Sequence, residues 1–121
     1  MNLYESSEDY LERILMLNKE GKSVRSIDLA KSFGYSRASI SRAVNNLSEN
    51  GYIDIINAQL ILTEKGKKIA EKMLKRHLIL SNFFISIGVD SDTALDDACK
   101  IEHDLSDETF NKLKEFIEKQ K

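Results

Sequence analysis

Apolar residues recur every three or four positions along most of this chain, which is the spacing of amphipathic α-helices. The first such helix is predicted to begin at an N-cap on Ser6 or Ser7 and to end at Gly21. Its apolar positions include Tyr10, Leu11, Ile14, Leu15 and Leu17. The regular spacing predicts a helix with one face buried in a core.

Two shorter helices are predicted next, with a glycine between them. Ser26 precedes the second helix, Gly34 permits a sharp turn, and Ser36 caps the third helix. Ile40, Val44 and Leu47 recur at helical spacing in that third helix, which Gly51 closes. This order of elements predicts a helix-turn-helix.

The pattern becomes typical of strands after Gly51. Residues 52–56 and 60–62 predict two short strands, joined by a turn at residues 57–59. Thr63 then caps a long helix that extends to about Ile85, and two short amphipathic helices are predicted over residues 91–103 and 106–118. The predicted fold is mainly α, with a winged helix-turn-helix in residues 1–63 and a helical lobe in residues 64–121, connected by helix 64–85.

Composition agrees with a small helical protein. The chain has 121 residues, no proline and 41% hydrophobic residues, which is the size of one ordinary domain or of two small lobes. A single cysteine forms no intrachain disulfide, and neither a signal peptide nor a run of 18 apolar residues is evident, so we expect a reducing cytoplasm. Pairing with a second copy would bury more of the apolar surface of the last helices, which predicts a homodimer.

Charge is segregated along the chain. Residues 19–76 contain 12 Lys or Arg against 6 Asp or Glu, although the whole chain has a net charge of −2. A basic segment that includes a helix-turn-helix is typical of a DNA-binding surface. The wing has neither Lys nor Arg, so neutralisation of phosphates would come from Arg25, Lys31, Arg37, Arg42 or the lysines at positions 65–68.

The outer face of the third helix has the composition of a recognition surface. It presents Ala38, Arg42 and Asn45, with Ser39, Ser41 and Asn46 at its margins. Small residues allow close approach to the major groove, and Ser, Asn and Arg side chains hydrogen-bond to base edges or phosphates. The candidate DNA-binding residues are Arg25, Ser36, Arg37, Ala38, Ser39, Ser41, Arg42, Asn45 and Asn46. The alternative is a winged helix that binds another protein.

Metal binding is the second chemical hypothesis. Cys99, Glu102 and His103 are spaced i, i+3 and i+4, so they would share one face of a helix. Asp9 and Glu12 form another i, i+3 pair, and His77 lies on a third predicted helix. Thiolate, carboxylate and imidazole ligands together suit a divalent transition ion. Alternatively, the cysteine is a small buried hydrophobe, the histidines are structural, and the carboxylates line a solvated face.

Other functional classes remain open on the residues alone. Cys99 and His103 could serve as nucleophile and base of an enzyme, but no oxyanion donor or Gly-rich loop is evident beside them. A metal-independent winged-helix regulator and a structural zinc site are two further alternatives. A chelator would leave DNA affinity unchanged in the first and would unfold the protein in the second.

Four segments resemble the metal-dependent repressors that include the diphtheria toxin repressor and the manganese transport regulator. The matching segments span residues 8–12 (EDYLE), 62–68 (LTEKGKK), 76–77 (RH) with 87–90 (IGVD), and 99–103 (CKIEH). The resemblance covers essentially the whole chain, without the SH3-like domain of the longer iron-type members. It implies a dimeric repressor that binds a palindromic operator and requires Mn(II) or Fe(II) as corepressor.

The same resemblance implies a set of metal ligands, namely Asp9, Glu12, His77, Cys99, Glu102 and His103. Position 99 departs from the manganese-type proteins, which have Glu there, and agrees with the iron-type proteins. A thiolate is softer than a carboxylate and favours Fe(II), Co(II) or Zn(II) over Mn(II). Ser81 and Leu95 stand where the iron-type ancillary site has Glu and His, so one or two ions per subunit remain open.

Overall fold

The computed structural model describes residues 5–120, and within that range the chain forms six α-helices and two β-strands. The helices are α1 (Glu5–Lys19), α2 (Ser26–Phe33), α3 (Arg37–Glu49), α4 (Glu64–Ser86), α5 (Ser91–Ile101) and α6 (Asp107–Lys119). The strands are β1 (Ile53–Ile56) and β2 (Gln59–Leu62). The mainly α fold with a winged helix-turn-helix is therefore confirmed.

The chain divides into two compact units, and the boundary lies inside α4. The N-terminal unit ends at Lys72 and the C-terminal unit begins at Met73. The sequence pattern instead places the domain boundary at residues 63 and 64, at the start of α4. That division into domains stays a prediction.

The core of the N-terminal unit comes from the positions that the helical spacing selects. Leu11 and Ile14 of α1, Leu29 of α2, and Ile40 and Leu47 of α3 are buried. Burial of these aliphatic side chains stabilises the three-helix arrangement through the hydrophobic effect. The outer face of α3 therefore remains available to solvent.

The helix ends follow local capping chemistry, with two exceptions. Ser26, predicted to precede the second helix, is the first residue of α2, and Arg25 precedes it. The Ser36 hydroxyl accepts a hydrogen bond from the Ser39 backbone N–H at 3.2 Å, as predicted for the cap of α3. Gly21 has a φ of +81°, in the left-handed region that favours glycine after a helix. The predicted cap at Ser6 or Ser7 is wrong, because α1 already includes Glu5 and both serines lie inside the helix.

The wing is a tight antiparallel hairpin. Ile53 pairs with Leu62 and Ile56 pairs with Gln59, so the connecting turn consists of Asn57 and Ala58 alone. The predicted turn at residues 57–59 is one residue too long, because Gln59 belongs to β2. Asn57 and Ala58 have φ values of 51° and 65°, and positive φ at both central residues is characteristic of a type I′ hairpin turn.

Thr63 connects the wing to α4. Its hydroxyl donates to the Gly51 carbonyl oxygen at 2.6 Å and accepts from the Gly66 backbone N–H at 3.2 Å. The prediction that Thr63 caps the long helix is confirmed. In α4, a Cβ atom added to Gly66 would overlap the Tyr52 carbonyl oxygen, so the first turn lies directly against the backbone before β1.

The C-terminal unit has its own small core. Leu80 of α4, Ala98 of α5 and Phe110 of α6 are buried together. Helix α5 ends at Ile101 rather than at the predicted residue 103, and α6 spans residues 107–119 rather than 106–118. Ser106 is the cap of α6 and accepts from the Thr109 backbone N–H at 3.1 Å. Glu102 and His103 consequently lie in the turn after α5.

Candidate functional site

The outer face of α3 is polar, cationic and exposed. Ala38, Ser41, Arg42, Asn45 and Asn46 are all exposed, whereas Ile40, Val44 and Leu47 on the opposite face are buried. The helical spacing therefore separates a packing face from a solvent face as predicted. An exposed helix of this composition has the features needed to enter a major groove.

Four of the candidate DNA-binding residues also maintain local structure. The hydroxyls of Ser36 and Ser39 hydrogen-bond to each other at 3.0 Å, and the Asn46 carbonyl oxygen accepts from the Asn50 side-chain amide at 2.7 Å. Arg25 precedes α2, and its backbone N–H donates to the Asp28 carboxylate at 2.8 Å. The side chains of Arg25, Arg37 and Arg42 are exposed.

In the C-terminal unit, Glu102 lies between two imidazole rings. Its Oε2 atom is 3.1 Å from Nδ1 of His77, and its Oε1 atom is 3.3 Å from Nε2 of His103. The Glu102 side chain is 0% exposed and the His103 side chain 1% exposed. A carboxylate removed from water in this way is stabilised by hydrogen bonds or by a nearby positive charge, which a bound metal ion would supply.

These three side chains fit a divalent transition ion by their chemistry. Imidazole nitrogen and carboxylate oxygen are the common protein ligands of manganese, iron and zinc. Three of the predicted ligands are thus brought together from α4 and from the turn after α5. Cys99, on the last part of α5, is exposed although it lies only three positions before Glu102.

The remaining two predicted ligands, Asp9 and Glu12, lie on α1 in the N-terminal unit. Glu12 is buried and Asp9 is partly buried. Spacing of three residues places their carboxylates one turn apart on the same side of the helix. Burial distinguishes Glu12 from the solvated carboxylates that a chain rich in acidic residues contains by chance.

Arg76 is a buried residue whose part in the site neither residue type nor helical spacing predicts. Its Nη1 atom donates to the carbonyl oxygens of Glu102 and Leu105 at 2.9 and 2.6 Å, and its Nη2 atom lies 2.6 Å from Oδ1 of Asp107. Its guanidinium group also lies over the Phe110 ring, 5.0 Å from the centroid. Its place directly before His77 is the one sequence signal that could have indicated this role.

An aromatic group packs beside Asp9 in the N-terminal unit. The Tyr10 ring makes edge contacts with Phe33 and Tyr35 at centroid distances of 5.0 and 6.4 Å. Burial, the Tyr35 hydroxyl and the Asp9 carboxylate raise the pKa of Tyr10 above its ordinary value of 10.0. The neutral phenol is therefore the form that this environment favours.

Apolar side chains remain exposed on the C-terminal unit. The exposed aliphatic and aromatic residues there are Leu78, Ile85, Ile87, Leu95 and Phe116. Between α4 and α6 lies a cavity of about 500 Å³, lined in part by Phe83, Ile87 and Phe116. Ile87 and Phe116 are exposed and border the same cavity, and exposed apolar side chains grouped in this way are typical of a protein interface. Across residues 5–120, the structure contains no helix with the length and hydropathy that crossing a membrane requires.

Comparison with protein families matches both parts of the chain. Residues 2–58 match the N-terminal DNA-binding domain of the iron-dependent repressors. Residues 63–121 match the metal-binding and dimerisation domain of the same family. The two matches together cover nearly the whole chain.

Individual relatives agree with these matches. An uncharacterised HTH-type transcriptional regulator of Methanocaldococcus jannaschii is 38% identical over 118 residues, covering 95% of this chain and 94% of that protein. The HTH-type transcriptional regulator MntR of Bacillus pumilus is 35% identical over 114 residues, covering 93% of this chain and 79% of that protein.

Among solved structures, a manganese-dependent transcriptional repressor in complex with manganese superimposes with a TM-score of 0.82 and 27% identity. The match covers 92% of this chain and 52% of the repressor, so this chain spans about half of that protein's length.

Proposed function

This chain belongs to the iron-dependent repressor family, and from that premise we propose which of its residues bind the metal ion, which contact DNA and which form the dimer. The family combines a DNA-binding domain with a metal-binding and dimerisation domain. The protein is accordingly a metal-dependent transcriptional repressor that acts on double-stranded DNA as a homodimer.

The proposed metal ligands are Asp9, Glu12, His77, Cys99, Glu102 and His103. The observation that carries this assignment is Glu102, fully buried with imidazole nitrogens at 3.1 and 3.3 Å from its two oxygens. Asp9, Glu12 and His103 each offer a further ligand atom of suitable chemistry. The corepressor we propose is Mn(II) or Fe(II), in agreement with the manganese-dependent repressor that the fold resembles.

The ligands suggest how metal occupancy controls DNA binding. A bound divalent ion supplies positive charge that the carboxylates of Asp9, Glu12 and Glu102 can share. Without it, these carboxylates would repel one another at a shared site, so metal binding is what would favour their convergence. Driving a two-state equilibrium from 1:99 to 99:1 requires about 5.5 kcal/mol of differential binding, which several metal–ligand bonds can provide.

We assign DNA contact to the exposed face of α3 and to the arginines beside it. Ala38, Ser39, Ser41, Arg42, Asn45 and Asn46 would face the bases, while Arg25, Ser36 and Arg37 would contact the backbone. A two-fold dimer places two such helices in successive major grooves, about 34 Å apart, which calls for a palindromic operator. The domains assigned to these roles are residues 1–63 for DNA and 64–121 for metal and dimerisation.

The dimer contact proposed here is the exposed apolar surface of the C-terminal unit around Ile87 and Phe116. Its occupant is a second copy of this chain, because the dimerisation domain of the family matches residues 63–121, which include this surface. Covering such side chains removes apolar area from water and stabilises the pair.

A catalytic role is not part of this proposal. Nε2 of His103 lies 3.3 Å from the Glu102 carboxylate, and the family is a class of transcriptional regulators. We propose that the protein is located in the cytoplasm, because a transcriptional regulator must reach DNA and its single cysteine suits a reducing compartment.

Metal removal tests the proposed function. Duplexes selected from a randomised library in the presence of Mn(II) should bind the protein tightly with Mn(II) or Fe(II) under anaerobic conditions and far more weakly with excess chelator. Equal affinity with and without chelator would contradict metal control. Circular dichroism should show a folded protein after chelation, and unfolding would instead indicate a structural metal.

Glu102→Gln tests the ligand assignment directly. It preserves the size of the side chain but removes its charge, so metal affinity should fall by at least about 10-fold. Glu108→Gln, an exposed position on α6, is the matched control and should behave like the wild type. Equal losses in the two variants would contradict a ligand role for Glu102.

Cys99→Glu tests the choice of ion. It replaces the thiolate by the carboxylate of the manganese-type proteins, so activation should shift towards Mn(II) relative to Fe(II) and Co(II). Metal-dependent DNA binding, measured for each ion separately, provides the comparison. An unchanged order of ions would mean that Cys99 is not a ligand.

A further inference from the structure

The segment that carries Glu102 and His103 lacks regular secondary structure of its own. Helix α5 ends at Ile101, and α6 begins at Asp107. Backbone carbonyls at the end of a helix have no partner within the helix, so a turn in this place requires hydrogen bonds from elsewhere. Two local bonds support this turn, because the Glu102 N–H donates to the Ala98 carbonyl oxygen and the Asp104 N–H donates to the Ile101 carbonyl oxygen, both at 3.0 Å. Bonds from outside the helix would further limit fraying of the turn that contains Glu102 and His103.

Arg76 provides those hydrogen bonds. A single nitrogen, Nη1, donates to the carbonyl oxygens of Glu102 and Leu105, which are the first and last residues of a four-residue stretch. A positive charge near the end of a helix also interacts favourably with its dipole. Arg76 therefore holds both ends of the stretch that contains the two candidate ligands.

Asp107 and Phe110 orient the guanidinium group. The Asp107 carboxylate accepts from Nη2 at 2.6 Å, and the Arg76 Cζ atom lies over the Phe110 ring, 5.0 Å from its centroid. The Arg76 side chain is only 3% exposed, whereas that of Asp107 is 69% exposed. The planar fork of arginine makes these contacts simultaneously, and the ammonium of lysine lacks that geometry.

Arg76 and His77 are consecutive on α4, and both contact Glu102. Arg76 binds the backbone carbonyl of Glu102, and the His77 ring lies 3.1 Å from its carboxylate. The position of the Glu102 carboxylate relative to His77 thus depends on where Arg76 holds the backbone. A displacement of this turn would separate the proposed ligands without altering any of them.

We propose that Arg76, oriented by Asp107, is a positioning residue of the metal centre, which fixes the turn carrying Glu102 and His103 in a geometry ready for metal binding. This inference rests on the proposed function, because it concerns the same centre. Residues that orient metal ligands commonly change metal affinity by about 10–100-fold when they are replaced.

The test compares Arg76→Lys and Asp107→Asn with the wild type, using Co(II) as the probe. Anaerobic titration gives the affinity, and the visible absorption spectrum of bound Co(II) reports ligand geometry independently of DNA binding. Both variants should bind Co(II) about 10–100-fold more weakly and show an altered spectrum. Asp107→Asn keeps the test decisive if Arg76→Lys fails to fold, because Asp107 is largely exposed.

Asp104→Asn is the matched control. It removes one negative charge from the same loop, at an exposed position, without replacing an Arg76 partner. Wild-type affinity and spectrum in Asp104→Asn, together with losses in Asp107→Asn, would support the positioning role. Equal losses of Co(II) affinity in Asp104→Asn and Asp107→Asn would show that the loss comes only from removing a negative charge, and this result would overturn the proposal.

The two proposals fail in distinguishable ways. A wild-type protein that does not bind Co(II) would contradict the metal centre itself. A wild-type protein that binds Co(II), with both Arg76→Lys and Asp107→Asn equal to it in affinity and spectrum, would leave the metal centre intact and refute the positioning role.

Discussion

Gly66 allows the first turn of α4 to lie against the backbone of Tyr52. Thr63 reinforces this approach, because its backbone N–H donates to the Tyr52 carbonyl oxygen at 3.2 Å and its hydroxyl binds the Gly51 carbonyl oxygen at 2.6 Å. The backbone next to Gly66 is therefore held in place. A larger residue would have to displace backbone rather than the end of a flexible side chain.

Gly66→Ala should destabilise the protein by about 1–3 kcal/mol, as is usual for overpacking. Alanine is the better helix former by about 1 kcal/mol, but overlap with the Tyr52 carbonyl oxygen outweighs that gain. Urea unfolding measures the difference. Lys67→Ala, at an exposed neighbouring position, should be nearly neutral, and a Gly66→Ala protein as stable as the wild type would contradict the tight approach.

Tyr10 makes the stability of the folded protein depend on pH in the alkaline range. Its pKa in the folded state is raised by burial, by Tyr35 and by Asp9, above the ordinary value of 10.0. The folded state thus retains the phenolic proton more strongly than the unfolded state. The resulting stability is complete below about pH 10 and is lost as the pH rises through the raised pKa.

Tyr10→Phe should therefore lose less stability than the wild type between pH 8 and pH 11. Thermal unfolding at both pH values measures the change within each protein, so that a constant effect of removing the hydroxyl cancels. Other groups, including lysines, titrate in both proteins, so their contribution is the same in the wild type and in Tyr10→Phe. Identical pH dependences would show that Tyr10 titrates alike in the folded and unfolded states.

At the scale of elements, α3 combines a fixed packing face with an exposed polar face. Ile40, Val44 and Leu47 are buried, and the Ser36 cap defines where the helix begins. Arg42 lies on the outer face and is exposed, and its side chain is long enough to reach DNA. Packing of the buried face of α3 therefore fixes the direction in which its polar residues point.

Arg42→Ala should weaken operator binding without changing the fold. A phosphate contact would lower affinity uniformly and reduce the salt slope by about 1, whereas a guanine contact would cost about 1–3 kcal/mol and relax specificity at one position. Binding to the selected duplex and to its single-base variants at several salt concentrations separates these outcomes. Lys112→Ala on α6 is the control, and wild-type binding by Arg42→Ala would exclude Arg42 from the interface.

The whole molecule is a dimer, and its C-terminal unit exposes apolar side chains around Phe116. Phe116 is 54% exposed in the single chain. A second copy packed on this surface would remove that area from water, and a charge introduced there would be buried without a partner.

Phe116→Glu should shift the protein from dimer to monomer, because a carboxylate opposes burial at the proposed contact. Light scattering coupled to size-exclusion chromatography measures the mass, with 13.8 kDa expected for the monomer. Ile55→Glu, at another exposed apolar position on the wing, should remain dimeric. A dimeric Phe116→Glu would place the contact on a different surface.

Much of the architecture followed from local patterns along the chain. The order of helices and strands, the caps at Ser36 and Thr63, and the buried face of α3 all depend on residues within four positions of one another. The errors occurred at element ends, where Glu5 extends α1, Gln59 joins β2, and α5 stops at Ile101. Those ends depend on pairing and packing with other segments.

The candidate site was only partly visible in the pattern. His77, Glu102 and His103 were selected by residue type, and the structure brings them together. Cys99 shares the expected helical spacing but is exposed. Arg76 was missed because its partners lie 26 to 31 positions away in the sequence.

The sequence by itself determined the helical fold, the polar outer face of α3 and the family resemblance, because these depend on periodicity and on short motifs. Only the tertiary structure decided how deeply Glu102 is buried, how Arg76 holds the turn after α5, and why position 66 requires glycine. The physical reason is that burial and close approach depend on segments distant in sequence, whose contacts no local spacing specifies.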